Sequence, residues 1–354
     1  METLRKFEEK AWSDNGDFEV EIKDAALGEL LFAFDAAVTS GSGTVAQDAA
    51  LKLLGTLEVN QNGSRVQADA RLLYYLSAVY EGGIRELTAG SSATDTATCR
   101  FGMPFQRMIP GAGLDASSKV VSFKGRFRDG AYYSSGGVTV GTGSRIRPAA
   151  TTMLTAPEGG PREPDWIQET VKLESASVSA NSRKIENRAD YLMPGLLLMA
   201  VDANGDIAAT DASARDDGVA HRVTVELFGN GRAPLRLVDD IPWGVLRAET
   251  ARRAGWTDAD QTAAEGIVWL PLFERQGGRN ADALRLLQGS HLTVTIDNAS
   301  GAENGFTAVT PGAGDRVDIL VPRFFNRGDL GQTGSATVRG ANGRARRSNR
   351  SRNI

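Results

Sequence analysis

The sequence predicts an all-β chain that carries one sandwich-like programme twice. Three observations predict it. Asn-Gly occurs six times, at Asn15, Asn62, Asn204, Asn230, Asn304 and Asn342, and this pair accepts the positive φ that tight hairpin turns need. Short alternating apolar runs fill the intervals between such turns. The order of elements also recurs. LEVNQNGSRVQADARLLYYL, from Leu57, and VELFGNGRAPLRLVDDIPWGVL, from Val225, make the same moves 168 residues apart.

The elements follow in order. Residues 1–12 place Leu4, Phe7 and Ala11 on one side and predict a short docked helix. Residues 17–24 alternate and predict a strand; 29–38 predict an apolar strand, 41–44 a turn and 51–60 a further strand. From Asp69 to Tyr80, apolar residues recur at helical spacing, with Asp69 as N-cap and Gly82 as stop. Strands are predicted at 100–105, 119–127 and 137–147. Residues 155–166 are rich in Pro and Gly and predict a linker.

The second half repeats this. Residues 191–205 parallel the strand at 29–38, 221–231 parallel 51–60, and 239–254 parallel the helix. Asp240 is the expected cap there, Pro242 suits the first turn and Gly255 stops the run. Residues 268–273, 291–296 and 316–324 then follow as strands. Gly63 to Pro104 is 41 positions; Gly231 to Pro271 is 40. A single helix in the same slot of each half argues for a true duplication over a chance alignment of strands.

Composition excludes several classes. With 354 residues and 41% hydrophobic content, two buried cores are affordable. One cysteine, Cys99, excludes an internal disulfide framework. No run approaches the ~18 apolar residues of a membrane helix, and the first residues lack the apolar stretch of a secretory signal. Net charge is −4, yet no acid follows Asp329. Arg339, Arg344, Arg346, Arg347, Arg350 and Arg352 make the end a basic tail. That tail suits nucleic-acid phosphates, anionic lipid headgroups or an acidic neighbouring subunit.

Two β-rich halves of this length suit two tandem eight-stranded jelly-roll sandwiches, each with one inserted helix, plus N- and C-terminal arms. Glycine-rich stretches at 88–98 and 206–219 suit the corner loops. The expected division is an arm at 1–16, sandwiches at 17–160 and 161–330, and the tail at 331–354.

Strand, Asn-Gly turn, helix, a strand ending in φ-x-φ-Pro-φ and closing strands, twice in tandem, resemble a double jelly-roll major capsid protein. This is the coat subunit of tailless icosahedral bacteriophages, often membrane-containing, and of the adenovirus-hexon-like lineage. The resemblance covers residues 17–325. It implies a structural protein of the virion shell, made soluble in the host cytoplasm. It also implies pseudo-hexameric homotrimers that tile a lattice, with neighbouring capsomers, minor capsid or vertex proteins, and genome or inner membrane as partners.

Catalytic chemistry is not signalled. The two histidines, His221 and His291, open predicted strands in equivalent places. No nucleophile elbow, phosphate loop or zinc-protease motif is present. Neither a cofactor nor a small-molecule substrate is expected, and the chain is not expected to be an enzyme. Asp202, Asn204 and Asp206 have the first spacings of a calcium loop, but Ile207 and Ser213 break it, leaving a weak cation candidate. Arg-Gly-Asp at 327–329 reads as the end of the last strand. Trp243, Trp256 and Trp269 read as core or interface anchors. The competing reading is a two-domain carbohydrate-binding or carbohydrate-active sandwich. It accounts for the aromatics but not for the tail or the near-equal halves. A phage spike would need fibrous repeats, which are absent.

Overall fold

Sixteen principal strands form two sandwiches in which the strand order is the same. The computed structural model describes residues 3–23, 25–39, 45–84, 96–117, 119–134, 138–153, 161–173, 180–187, 189–202, 214–229, 233–272, 283–297 and 314–325. In the first half the strands are β1 (Thr3–Lys6), β2 (Asp17–Ile22), β3 (Ala26–Thr39), β4 (Thr56–Asn60), β5 (Ser64–Asp69), β6 (Thr96–Met103), β7 (Val121–Arg126) and β8 (Arg145–Thr152). In the second they are β9 (Ile167–Lys172), β10 (Ala180–Glu186), β11 (Gly195–Asp202), β12 (Arg222–Phe228), β13 (Leu235–Pro242), β14 (Ile267–Pro271), β15 (His291–Asp297) and β16 (Arg316–Val321).

One sheet of the first sandwich runs β1–β8–β3–β6 and the other β2–β7–β4–β5. Adding eight to each label gives the second sandwich, β9–β16–β11–β14 and β10–β15–β12–β13. All these pairings are antiparallel, and apart from the hairpins β4–β5 and β12–β13 the neighbours in a sheet are distant in sequence, which is the jelly-roll arrangement. Shorter pieces extend the edges, such as Lys10–Ala11 on β8 and Ala214–Arg215 on β11.

The helices are α1 (Ala49–Leu54), α2 (Ala70–Glu81), α3 (Phe105–Met108), α4 (Trp243–Ala254) and α5 (Asp258–Ala263). The expected single helix of each half is present as α2 and α4, both in the connection before the strand that ends at proline. The shorter helices are additions. Asp69 caps α2 by accepting from the Arg71 amide at 2.9 Å, and Gly82 ends it at φ 78°.

Three local expectations are corrected. Residues 3–12 carry β1 and the Lys10–Ala11 strand, not the expected helix. Thr3–Lys6 lie antiparallel to Ala149–Thr152, and Leu4 is 61% exposed, so no apolar stripe exists to dock a helix. Residues 51–54 belong to α1, not a strand. Leu51, Leu53 and Leu54 are all buried, whereas a half-exposed strand would turn alternate side chains outward. Gly55, at φ 60°, makes the break into β4. Asp240 does not cap α4, because β13 stays paired through Pro242 opposite Arg222. Pro242 is the N-cap, and Asp240 sits at φ 53° beside two register shifts, its carboxylate 2.6 Å from Arg222.

Two apolar cores result. The smaller lies inside the second sandwich and includes Leu196, Leu198, Ala200, Val268 and Ile319. The larger fills the first sandwich and continues into the second, taking in Leu197, Met199, Val201, Ile267, Trp269 and Leu320.

Candidate functional site

The alternate membership of β11 defines the joint between the sandwiches. A strand shows successive side chains to opposite faces. Leu196, Leu198 and Ala200 therefore point into their own sandwich, while Leu197, Met199 and Val201 point out of it toward the first. All six are fully buried. A strand buried on both faces reads as an unbroken apolar run, and LLLMAV is such a run.

What covers the outer row is α2. Its residues from Ala70 to Ala78 are all buried, and Leu72, Tyr75 and Leu76 belong to the shared core. Tyr80 meets the Trp269 ring edge-on at 5.6 Å between centroids. Trp256 donates its indole N–H to the Ala78 carbonyl at 3.3 Å. A second seam lies under the linker region, of which 161–166 are described. There Trp166 packs between Phe105 and Phe324, at 5.1 and 6.0 Å, and Arg323 pairs with Asp165 at 2.6 Å.

A buried charge cluster sits in the joint. Arg215, from the second half, meets Asp48, from the first, at 2.7 Å, with both side chains 2% exposed. The Arg215 Nη2 also donates to the Ala263 carbonyl at 2.8 Å, and its guanidinium lies 4.4 Å from the Tyr75 ring centre. Tyr75 donates its hydroxyl to Asp48 at 2.9 Å. Burial by itself would raise the Asp48 carboxyl; Arg215 beside it more than offsets this, and the group sits below the usual carboxylate range. Asp69 behaves alike. Burial opposes its charge, but Arg71 and Arg128, at 3.1 and 3.3 Å, hold the carboxyl down. The charges are thus paired and hydrogen-bonded, as buried charges must be.

None of this is catalytic machinery. Burial pushes the Cys99 thiol up, so it is no nucleophile. His291 stacks on Phe228 at 4.8 Å, and the His221 amide donates to the Asp297 carbonyl as a strand end. Among the described residues no group of three metal-ligating side chains occurs. Asp202 lies at the end of β11 opposite Ala214; Asn204 and Asp206 lie outside the described residues, as do Arg-Gly-Asp at 327–329 and Arg339, Arg344, Arg346, Arg347, Arg350 and Arg352. Trp243, Trp256 and Trp269 are all buried anchors. Trp243 donates to Asp217 at 2.9 Å, and none offers an open ring face for a sugar. A shallow concavity of about 430 Å³ lies over β2, β7, β4 and β5. On its floor Glu19 and Glu58 flank Lys124 as cross-strand neighbours, an ordinary charge ladder. The carbohydrate reading therefore finds no support among the described residues, in which no helix is long and apolar enough to cross a membrane.

Sequence reasoning missed Asp48 and Arg215. They are 167 positions apart, and no local pattern marks either. The β11 run was readable as a doubly covered strand.

No family model and no curated protein matches the chain. Solved structures do. The crystal structure of the STIV major capsid protein matches with a TM-score of 0.67 at 10% identity, over 95% of this chain and 99% of that one. The atomic structure of Sulfolobus turreted icosahedral virus matches with a TM-score of 0.62 at 10% identity, over 91% and 90%. The major capsid protein P2 of bacteriophage PM2 matches with a TM-score of 0.55 at 11% identity, over 92% and 99%. With the repeated strand order above, this nearly end-to-end likeness makes the chain a double jelly roll.

Proposed function

We propose that the chain is a major capsid protein, a non-catalytic brick of an icosahedral virion shell. One observation carries the reading: two sandwiches of identical strand order are fused through a sealed, rigid joint. Such a unit presents two like bodies per chain, so three chains make a pseudo-hexagonal block that tiles a closed surface. The structures it resembles over nearly their whole length are those of virus coat proteins. We place the division between the sandwiches near residues 160–161 and the end of the second near 330. The tail beyond it, with its arginines from Arg339 to Arg352, serves as a contact arm toward genome phosphates, an inner membrane or a neighbouring capsomer. Minor capsid or vertex proteins are its further partners, and the protein reaches the shell from a soluble form in the host cytoplasm.

Light scattering after size exclusion tests the reading. The expected mass is three times the 37.7 kDa chain, and negative-stain images of that peak show hexagonal outlines. A protein that stays monomeric at every concentration overturns it. Truncation after Asp329 is expected to preserve the circular dichroism spectrum and melting temperature while weakening assembly or binding to nucleic acid or anionic vesicles.

A further inference from the structure

Four described residues other than glycine hold a positive φ, and Asp48 is the buried one. Asn15 and Asn62 each precede a glycine and are exposed, and Asp240 is exposed beside the register shifts of β13. Asp48 has φ 56° and ψ 29°, and α1 starts at the next residue. A residue in that position ordinarily keeps an extended backbone and turns its side chain onto the first amides of the helix. Asp48 does neither: it is left-handed, and its carboxylate makes no cap bond to α1. A left-handed residue that carries a side chain persists where its surroundings over-determine it.

Those surroundings come from the joint. The Arg215 guanidinium takes the Asp48 carboxylate through Nε at 2.7 Å and Nη2 at 3.1 Å. The Arg215 amide donates to the Gln47 Oε1 at 2.7 Å, and Tyr75 donates its hydroxyl to Asp48 at 2.9 Å. The residues just before Asp48 are bound elsewhere. Val45 bridges Ser134 in antiparallel fashion, and the Ala46 amide donates to the Tyr133 carbonyl at 2.9 Å. Tyr133 follows a single 3-10 turn, Gly130–Tyr132, which Asp129 caps. One short strip, residues 45–48, therefore touches the joint at one end and the 129–134 turn at the other.

We propose that this strip is a two-position lever that couples the joint to the 129–134 turn. With Arg215 in place, Asp48 is left-handed and the strip lies along Tyr133 and Ser134. When the joint parts, the unpaired carboxylate swings onto the leading amides of α1, Asp48 returns to extended backbone and the strip leaves the turn. The coupling is reciprocal, so whatever steadies the 129–134 turn also steadies the joint. The inference goes beyond the capsid reading and does not rest on it.

Hydrogen exchange at single amides of the full chain tests the lever. The Met153 amide is the control; it donates to the Ala26 carbonyl at 2.7 Å, beside the start of β3. In Arg215→Met, the Ala46 amide is expected to exchange about tenfold faster than in the parent, over and above any change at Met153. Adding Asp48→Gly to that chain is expected to restore the protection of Ala46, because glycine holds the left-handed conformation without a partner. A purely structural role predicts no such rescue, since a second joint side chain has been removed. Equal acceleration at Ala46 and Met153 assigns the effect to global stability and overturns the lever, and so does a double variant as fast as Arg215→Met. Tyr75→Phe gives a milder reading that keeps the ring and the ion pair. Ala46 is expected to quicken there ahead of Met153, and should Arg215→Met fail to fold, unchanged Ala46 exchange in Tyr75→Phe overturns the proposal.

Discussion

Asp48 and Arg215 show what a single pair can decide in a joint of this size. The two charges are buried and paired with each other, and Arg71 adds a further pull on Asp48. Removing one partner leaves an uncompensated buried charge, a loss of ~3–5 kcal/mol. Asp48→Ala is therefore expected to lower the urea midpoint strongly, and Arg215→Ala to do likewise. Replacing both, Asp48→Leu with Arg215→Met, is expected to cost far less than either single change. Equal losses in singles and double would mean that the pair acts only through packing. The pH dependence has a definite sign. The carboxyls of Asp48 and Asp69 titrate below their unfolded value of about 3.9. Between the two values the unfolded chain binds more protons, so stability falls as acid is added. Both contributions are full above about pH 4 and are lost as the pH falls through the lower folded values. A chain with Asp48→Asn should show a shallower acid loss between pH 5 and 2 in chemical denaturation. An unchanged slope would rule Asp48 out as a source.

The elements were unequally legible. Helix α2 was predicted with both its ends, because Asp69 and Gly82 are local signals and the apolar spacing between them is regular. Its partner α4 was placed in the right slot but with its cap two residues early, at Asp240 instead of Pro242, since the ladder opposite Arg222 holds the chain extended to Pro242. The first strand and α1 were misassigned for a common reason. Each is short, and its conformation is set by what it pairs with or lies under, not by its own pattern. The Ser77 and Thr250 hydroxyls, which fasten each helix to its own sheet, carry no sequence mark at all. Ser77→Ala leaves the buried Gly102 amide without an acceptor, and a cost of ~1–3 kcal/mol is expected. Thr250→Val should cost a similar amount through the Trp269 amide. If either variant matches the parent in urea, the equivalence of the two fastenings fails. Met199→Ala, on the outer row of β11, is expected to cost ~2–5 kcal/mol, a core-sized loss at a position facing out of its own sandwich.

At the scale of the whole molecule, one apolar core runs from the first sandwich through the joint to the second. Two bodies that share a core should melt as one. Calorimetry is expected to show a single transition whose van't Hoff and calorimetric enthalpies agree; two resolved transitions would mean that the joint does not couple them. The sequence by itself determined that the chain is β-rich, that it is doubled and where the two long helices fall. These are properties of near neighbours along the chain, and periodicity and turn chemistry report them. Only the tertiary structure decided that Thr3–Lys6 joins the first sheet, that Asp48 finds Arg215, and that α2 is buried from Ala70 to Ala78 while Val245 of α4 is exposed among the described residues. Those outcomes depend on which surfaces meet across more than a hundred residues, and the local pattern of a chain holds no record of the partner a face will find.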